Sequence, residues 1–453
     1  MSDPIVVIGG GFAGLRAAVT LTDAGRPVTL LEGRVGLGGR ARSFTDPVTR
    51  EVVDNGQHLF LFGYPRTLAF LDRVGTRHRL IFQDRLKVSF IRPGGKVSTL
   101  DCPFLPAPWH LLLGMMRLSG FPIGDKLRLW KVWRDLESAR GMDGKPIGET
   151  VEGWLRRLGQ GKRSRAIFWD PLTVAALNEQ PAKACAAGLK RVLLTLIQSQ
   201  REARLGMSAV GLNDLYAEQA RRIIEKGGGR VVLNRPVKGL EVQGRRVRAL
   251  RFADGTQLET DAVISAVPPS ALLKILPDPA AAGEPLGRAL PSFDTSPILS
   301  VNLWLNQPLT DSLFVALIGC RYQWLFNKAA ILRLAGVQAN HISLIISAAS
   351  DFIGRSNDEL VRIAMEDLRS CFPRVKDLQL FRSQVVRERE ATVSLTVETE
   401  RLRPGPRTAL ENLFLAGDWT ATGLPATVES AVVSGEACGE EVLKWLASAP
   451  PGQ

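Results

Sequence analysis

The sequence predicts an α/β protein in two parts: a discontinuous domain on a parallel sheet, and an inserted domain of helices with a mixed or antiparallel sheet. Three observations predict it. Two short, buried-type runs, the apolar residues 5–8 and the mostly apolar 28–31, flank a helix preceded by a cluster of glycines, the pattern of a buried β-α-β unit. A further apolar run at 413–416, followed by a helix, comes only near the end of the chain. Between them helical spacing gives way to closely spaced strands, so the second domain interrupts the first. The length of 453 residues, with 45% apolar and 23% charged, suits two or three domains with a proper core and excludes disorder and coiled coil.

Taken in order, residues 5–8 form a strand and Gly9-Gly10-Gly11-Phe12-Ala13-Gly14 a tight turn. Residues 15–24 form a helix with Leu15, Ala18, Val19 and Leu21 on one face, stopped by Gly25. The second strand, 28–31, ends on Glu32. From 103 to 124 the chain is rich in proline, with Trp109, Leu112, Leu113 and Met116 at helical spacing; Arg117, Lys126, Arg128, Lys131 and Arg134 follow. Residues 148–225 read mostly as helix, including 190–200 and 212–226. Short strands follow at 230–233, 237–242, 247–252 and 257–258, with Asp254-Gly255 as a hairpin turn, then a buried strand at 261–266 stopped by Pro268 and Pro269. Strands at 298–305, 313–318, 322–326 and 341–347 predict a second sheet, and helices are expected at 358–371 and 427–446. The first domain then comprises 1–100, 201–285 and 400–453, and the second 101–200 and 286–399.

Charge narrows the partner classes. Lys and Arg total 58 against 45 Asp and Glu, a net charge of +13, which favours nucleic acid, an acidic membrane face or a phosphate-bearing cofactor. Five cysteines (Cys102, Cys185, Cys320, Cys371, Cys438) and four histidines are scattered without C-x-x-C spacing, which argues against a disulfide framework, zinc or an iron-sulfur cluster; no metal is expected. The start runs straight from Met-Ser-Asp-Pro into an apolar strand, leaving no room for a secretion signal, and no apolar run reaches about 18 residues. The expected location is cytoplasmic. No zinc spacing, recognition helix or aromatic-interleaved sheet accompanies the basic residues, so no nucleic acid is expected.

Gly9-x-Gly11-x-x-Gly14 has dinucleotide spacing in the required setting: a strand before it, a helix after it, and Glu32 at the end of the next strand. Its glycines allow backbone N–H groups to approach a pyrophosphate at the helix N-terminus, and Glu32 accepts from a ribose hydroxyl. Gly38-Gly39-Arg40 adds an open backbone and a guanidinium for the second phosphate. Near the end, Gly417-Asp418 follows a strand and precedes a helix starting near Thr427 and Val428; that places a carboxylate beside polyol hydroxyls and helix N–H groups at the N1 and O2 edge of a flavin.

These motifs together resemble the FAD-dependent amine oxidase and carotene desaturase superfamily, over the first 60 residues, 206–269 and the last 45. The resemblance implies a Rossmann-like FAD-binding domain in which Gly9, Gly11, Phe12, Ala13, Gly14, Glu32, Gly38, Gly39 and Arg40 hold the ADP part. Val237 contacts adenine through its backbone, Gly417 and Asp418 meet ribitol, Thr427 and Val428 approach the ring, and Gly56, Gln57 and His58 lie near its reactive face. Within that superfamily, the stretches 54–60, 170–178 and 417–427 look like the hydroxysqualene dehydroxylases of bacterial squalene and hopanoid synthesis, with Asp170 where Asn is expected. The likeness implies a C30 isoprenoid substrate and reduced FAD delivering hydride from N5 to an allylic carbon as water leaves. No motif identifies the donor that reduces the flavin.

Asp170 and His58 are the candidate catalytic acids, each with a plainer alternative: a helix-cap aspartate, and a histidine that packs on the flavin. Two other functions fit parts of the pattern, a carotenoid or phytoene desaturase of opposite redox sense and a non-catalytic prenyl-binding protein of the same fold. The apolar segment 104–121, bordered by its basic residues, predicts peripheral association with an anionic membrane surface on the inner face; the plainer alternative is a core helix of the inserted domain.

Overall fold

A computed structural model of the chain describes residues 4–139, 148–333 and 340–448. Five parallel strands form the sheet expected from the sequence, in the order Arg230–Val232, Val28–Leu31, Ile5–Ile8, Ala262–Ser265 and Leu413–Leu415. Both faces of this sheet are covered. Val7, Leu30 and Ile264 pack with Leu15 and Val432 on one side, while Val6, Ile8 and Val263 pack with Leu240, Leu250 and Trp419 on the other. Burial on both sides is why the four strands other than Arg230–Val232 read as mostly apolar runs with no alternation.

The first helix, Phe12–Asp23, lies against the last, Val428–Ser448, and small residues set their distance. A methyl on Gly435 would stand 2.2 Å from the Ala13 carbonyl oxygen. The antiparallel strands Val237–Gln243, Arg246–Phe252 and Gln257–Glu259 form a separate small sheet beside the parallel one.

The second large sheet has seven strands, ordered Leu380–Val393, Thr295–Leu305, His341–Ser347, Trp324–Asn327, Phe314–Leu317, Lys87–Arg92 and Lys96–Asp101. It is mixed, because Phe314–Leu317 runs parallel to Lys87–Arg92 while every other pair is antiparallel. On one face Leu299, Val301, Leu344 and Ile346 pack under the Asn357–Cys371 helix, whose start is capped by Ser356 accepting from Glu359 N at 3.2 Å. On the other, Ile298, Phe326 and Ile345 belong to a cluster shared with the helices of 109–198. The hairpin of residues 87–101 thus pairs with the second sheet, although the sequence groups it with the first domain. We propose a domain boundary near residue 86. Two of the scattered cysteines also meet: Cys320 and Cys371 bring their sulfurs to 3.2 Å as free thiols.

Among the described residues no helix is long and apolar enough to cross a membrane, and no group of three or more His, Cys, Asp or Glu could hold a metal ion.

Candidate active site

One continuous cavity of about 1050 Å³ runs from the glycine turn to the helices of the inserted part. Single-ligand sites span roughly 300–1000 Å³, so the space suits a dinucleotide together with part of a second ligand.

At one end stands the turn between the first strand and helix. Gly14 is fixed by packing: a Cβ there would be 1.9 Å from Gly9 O. Gly11 differs, because a Cβ would meet only Gly39 Cα, at 3.8 Å, and would otherwise enter the cavity. The bare backbone at Gly11 is therefore a cradle for a ligand, at the N-terminus of a helix whose first N–H groups have no side-chain cap. Glu32 is buried beside it; one carboxylate oxygen accepts from Gly10 N at 2.8 Å and the other from Arg34 N at 2.9 Å.

Arg40 and Asp418, 378 residues apart, join in an ion pair of 2.5 Å. Burial works against the Arg40 guanidinium, but Asp418, Glu388 and Glu390 hold it charged, above its ordinary value. Gly38, Gly39, Val237, Gly417, Asp418, Thr427 and Val428 all line the cavity, as do Gly9, Gly11, Phe12, Ala13, Glu32, Arg40, Gly56, Gln57 and His58. Gly14 is the one candidate cofactor residue outside the lining, consistent with its packing role.

Side chains without a motif hold these loops. Tyr216 stacks on Phe12 with ring centroids 3.6 Å apart and donates its hydroxyl to Gly38 O and Ala41 O at 2.8 and 3.1 Å. Arg403, buried, donates to Asp418 O at 3.0 Å and Leu424 O at 2.7 Å, fixing the loop that carries Asp418. Glu388 accepts from Arg42 at 3.1 Å and Asn55 at 2.9 Å and tethers the segment leading to His58 to the second sheet. Only distant partners define these roles, so no local signal in the sequence marks them.

The far end of the cavity is apolar. Val88, Phe90, Leu111, Met115, Phe168 and Leu196 are among its walls. Polar side chains near this end are few. Tyr64 lines the cavity close to Thr427 and Glu429, and burial pushes its phenol well above the usual range, so it keeps its proton. His58 is held below the ordinary histidine value mainly by burial, and its Nδ1 lies 3.2 Å from Gly56 O. A carbonyl can only accept, so Nδ1 carries the proton and Nε2 of the neutral ring is an acceptor.

Asp170 is not among the residues that line the cavity. In the Asp170–Leu177 helix, Leu172, Ala175 and Ala176 line the cavity, and Asp170 projects from the opposite side of the turn. Its carboxyl is raised by burial and sits in the field of Arg165 and Glu152, which pair with each other at 2.8 Å.

A bare-backbone cradle at a helix N-terminus, an acidic residue after the second strand and a C-terminal Asp418 joined to Arg40 define a flavin-binding oxidoreductase. The model of the flavin containing amine oxidoreductase family matches residues 12–443, and the chain belongs to that family. Its fold is shared with a putrescine oxidase triple mutant, TM-score 0.73 and 15% identity over 98% of this chain and 99% of that one. Within the family it is similar to the hydroxysqualene dehydroxylases of Sinorhizobium fredii, 31% identical over 98% of this chain and 99% of the relative, and of Rhodopseudomonas palustris, 31% identical over the same shares. The chain is an FAD-dependent oxidoreductase.

Proposed function

We propose that the protein reduces hydroxysqualene to squalene, with its loops holding FAD at one end of the cavity and its apolar end holding the C30 chain. The observation that carries the reading is the single cavity joining the glycine cradle to walls of Val88, Phe90, Leu111, Met115 and Phe168. A hydrocarbon with one oxygen needs a dry, apolar space with few polar groups, and that is the composition of this end. When bound, reduced FAD supplies a hydride for the allylic carbon and a proton for the departing hydroxyl, so that R–OH and the reduced cofactor give R–H, the oxidised cofactor and water. On this reading Gly9, Gly11, Phe12, Ala13 and the 38–40 loop hold the diphosphate, Glu32 the ribose, Asp418 the ribitol, and Thr427 and Val428 the ring edge. The apolar wall excludes water, which would otherwise capture allylic cation character. Similarity to enzymes named hydroxysqualene dehydroxylase supports the reaction direction.

The exposed surface supports a route for the substrate. Phe104, Leu105, Trp109, Leu112, Met116, Ile123, Leu127 and Trp130 are all exposed large apolar side chains within one stretch of chain, and no other stretch of the described residues gathers so many. Trp109, Leu112, Leu127 and Trp130 also line the cavity. An apolar patch continuous with an apolar cavity, bordered by the exposed Arg117, Arg128, Lys131 and Arg134, suits a mouth resting on anionic lipid. We propose peripheral attachment of this patch to the inner membrane face, through which the C30 chain enters.

The experiment is an anaerobic incubation of the flavin-loaded protein, chemically reduced, with hydroxysqualene. Squalene is the expected product; a protein that retains flavin and forms none overturns the reading. A product with extended conjugation from a polyene precursor would select the desaturase alternative.

A further inference from the structure

Lys328 follows the Trp324–Asn327 strand, lies outside every motif described above and is 1% exposed. Its Nζ donates to Asp54 Oδ2 at 2.7 Å and to Gln57 Oε1 at 3.1 Å. Asp54 is itself anchored, since its other oxygen accepts from Ser43 Oγ at 2.7 Å and Leu212 N at 3.3 Å. Paired with this carboxylate, the Lys328 ammonium has three donors and no acceptor. Only the oxygen of the Gln57 carboxamide can face it, so the amide orientation is determined and Nε2 must point away. Nε2 is buried without a hydrogen-bond partner, and Gln57 lines the cavity. A buried donor in that state is costly unless something accepts from it. None of the second-sheet side chains lining the cavity accepts from it: Ile298, Phe326 and Ile345 have no acceptor, and Glu388, Ser347 and Thr392 do not pair with it.

We propose that Lys328 is a positioning residue. Clamped by Asp54, it turns the Gln57 carboxamide so that its N–H donates to the hydroxyl oxygen of the substrate. The proposal rests on the dehydroxylase reading and states how the site distinguishes a hydroxylated C30 chain from the hydrocarbon product. As the C–O bond breaks, its electron pair leaves with the oxygen, and the Gln57 N–H stabilises that charge until the oxygen is protonated to water. Overall proton balance is that of the reaction given above.

The test is a binding titration of the oxidised, FAD-loaded protein with hydroxysqualene and, separately, squalene, followed by the visible absorbance of the flavin. The oxidised protein cannot turn over, so binding alone is read. Gln57→Glu keeps the shape and pairs with Lys328 but has no N–H; it should lower affinity for hydroxysqualene about tenfold and leave squalene within about twofold. Lys328→Met should produce the same selective loss and Lys328→Arg should recover most of it. Removing Lys328 leaves Asp54 buried without its counter-charge, so if Lys328→Met does not fold, Gln57→Glu decides the matter. Equal loss for both ligands, or no loss for either, overturns the proposal. Loss of flavin from Gln57→Glu assigns the donor to the cofactor and overturns it too. If the wild-type protein does not bind hydroxysqualene at all, the dehydroxylase reading itself fails and this proposal falls with it.

Discussion

Gly11 and Gly14 have the same residue type and opposite reasons. A side chain at Gly14 would collide with Gly9 O, whereas one at Gly11 would occupy ligand space and touch little else. Gly11→Val should therefore fold with a near-wild-type melting temperature and purify without absorbance near 450 nm; retained flavin would remove the cradle from the cofactor site. His58 carries a pH consequence. Burial lowers its pKa from the ordinary 6.5, so the unfolded chain takes up a proton that the folded protein refuses. The stability it contributes is present above pH 6.5 and is lost as pH falls through that value toward the folded one. The fall in melting temperature from pH 7.5 to 5.5 should be smaller in His58→Gln by roughly 2 °C; an identical fall in both proteins would contradict it. The residues legible in the sequence were those of local motifs. Glu32, Arg40 and Asp418 stand at fixed offsets from glycines and strand ends, where backbone geometry imposes a pattern. Tyr216, Lys328, Glu388 and Arg403 act on partners tens to hundreds of residues away, and nothing in their own neighbourhood marks them.

Elements show the same division. The buried parallel strands are mostly apolar and were legible, as was the Asn357–Cys371 helix. The 14-residue strand Leu380–Val393 was not, because it is an edge strand carrying Arg382, Arg387, Glu388, Arg389 and Glu390, and charge conceals its alternation. Asp170 lies outside the cavity lining for a related reason: sequence proximity to an apolar helix does not say which face of that helix meets the cavity. The segment from Phe104 to Trp130 has a buried face and an exposed apolar face. His110, Gly114, Met115 and Leu118 face the core, while Trp109, Leu112, Met116 and Ile123 are exposed. Lys126 donates to Met116 O at 2.6 Å and Arg128 pairs with Asp125 at 3.0 Å, so these two also brace the segment. The sharper test of membrane attachment replaces Arg117, Lys131 and Arg134 with Gln. At about 1 kcal/mol per basic residue near anionic lipid, binding to phosphatidylserine vesicles should fall by tenfold or more with flavin content unchanged. Unaltered vesicle binding would return these charges to an ordinary solvated face.

At the scale of the molecule, two sheets are brought together by contacts that join distant parts of the chain. The Arg40–Asp418 pair ties the N-terminal loops to the C-terminal strand, Glu388 ties the second sheet to Asn55, and Lys328 ties it to Asp54 and Gln57. The cavity is thus polar where these loops meet the parallel sheet and apolar where the helices cover the second. That gradient is what a flavin chemistry on a nearly pure hydrocarbon requires, and it gives the net charge of +13 two outlets: a cofactor phosphate and the rim of the apolar mouth. The central claim is that the reaction is reductive loss of a hydroxyl, and a single-turnover experiment tests it most directly. Fully reduced, FAD-loaded protein is mixed anaerobically with excess hydroxysqualene while the return of absorbance near 450 nm and the squalene formed are measured together. The account predicts one squalene for each flavin reoxidised. Reoxidation without squalene, or no reoxidation by a protein that binds the substrate, would contradict it.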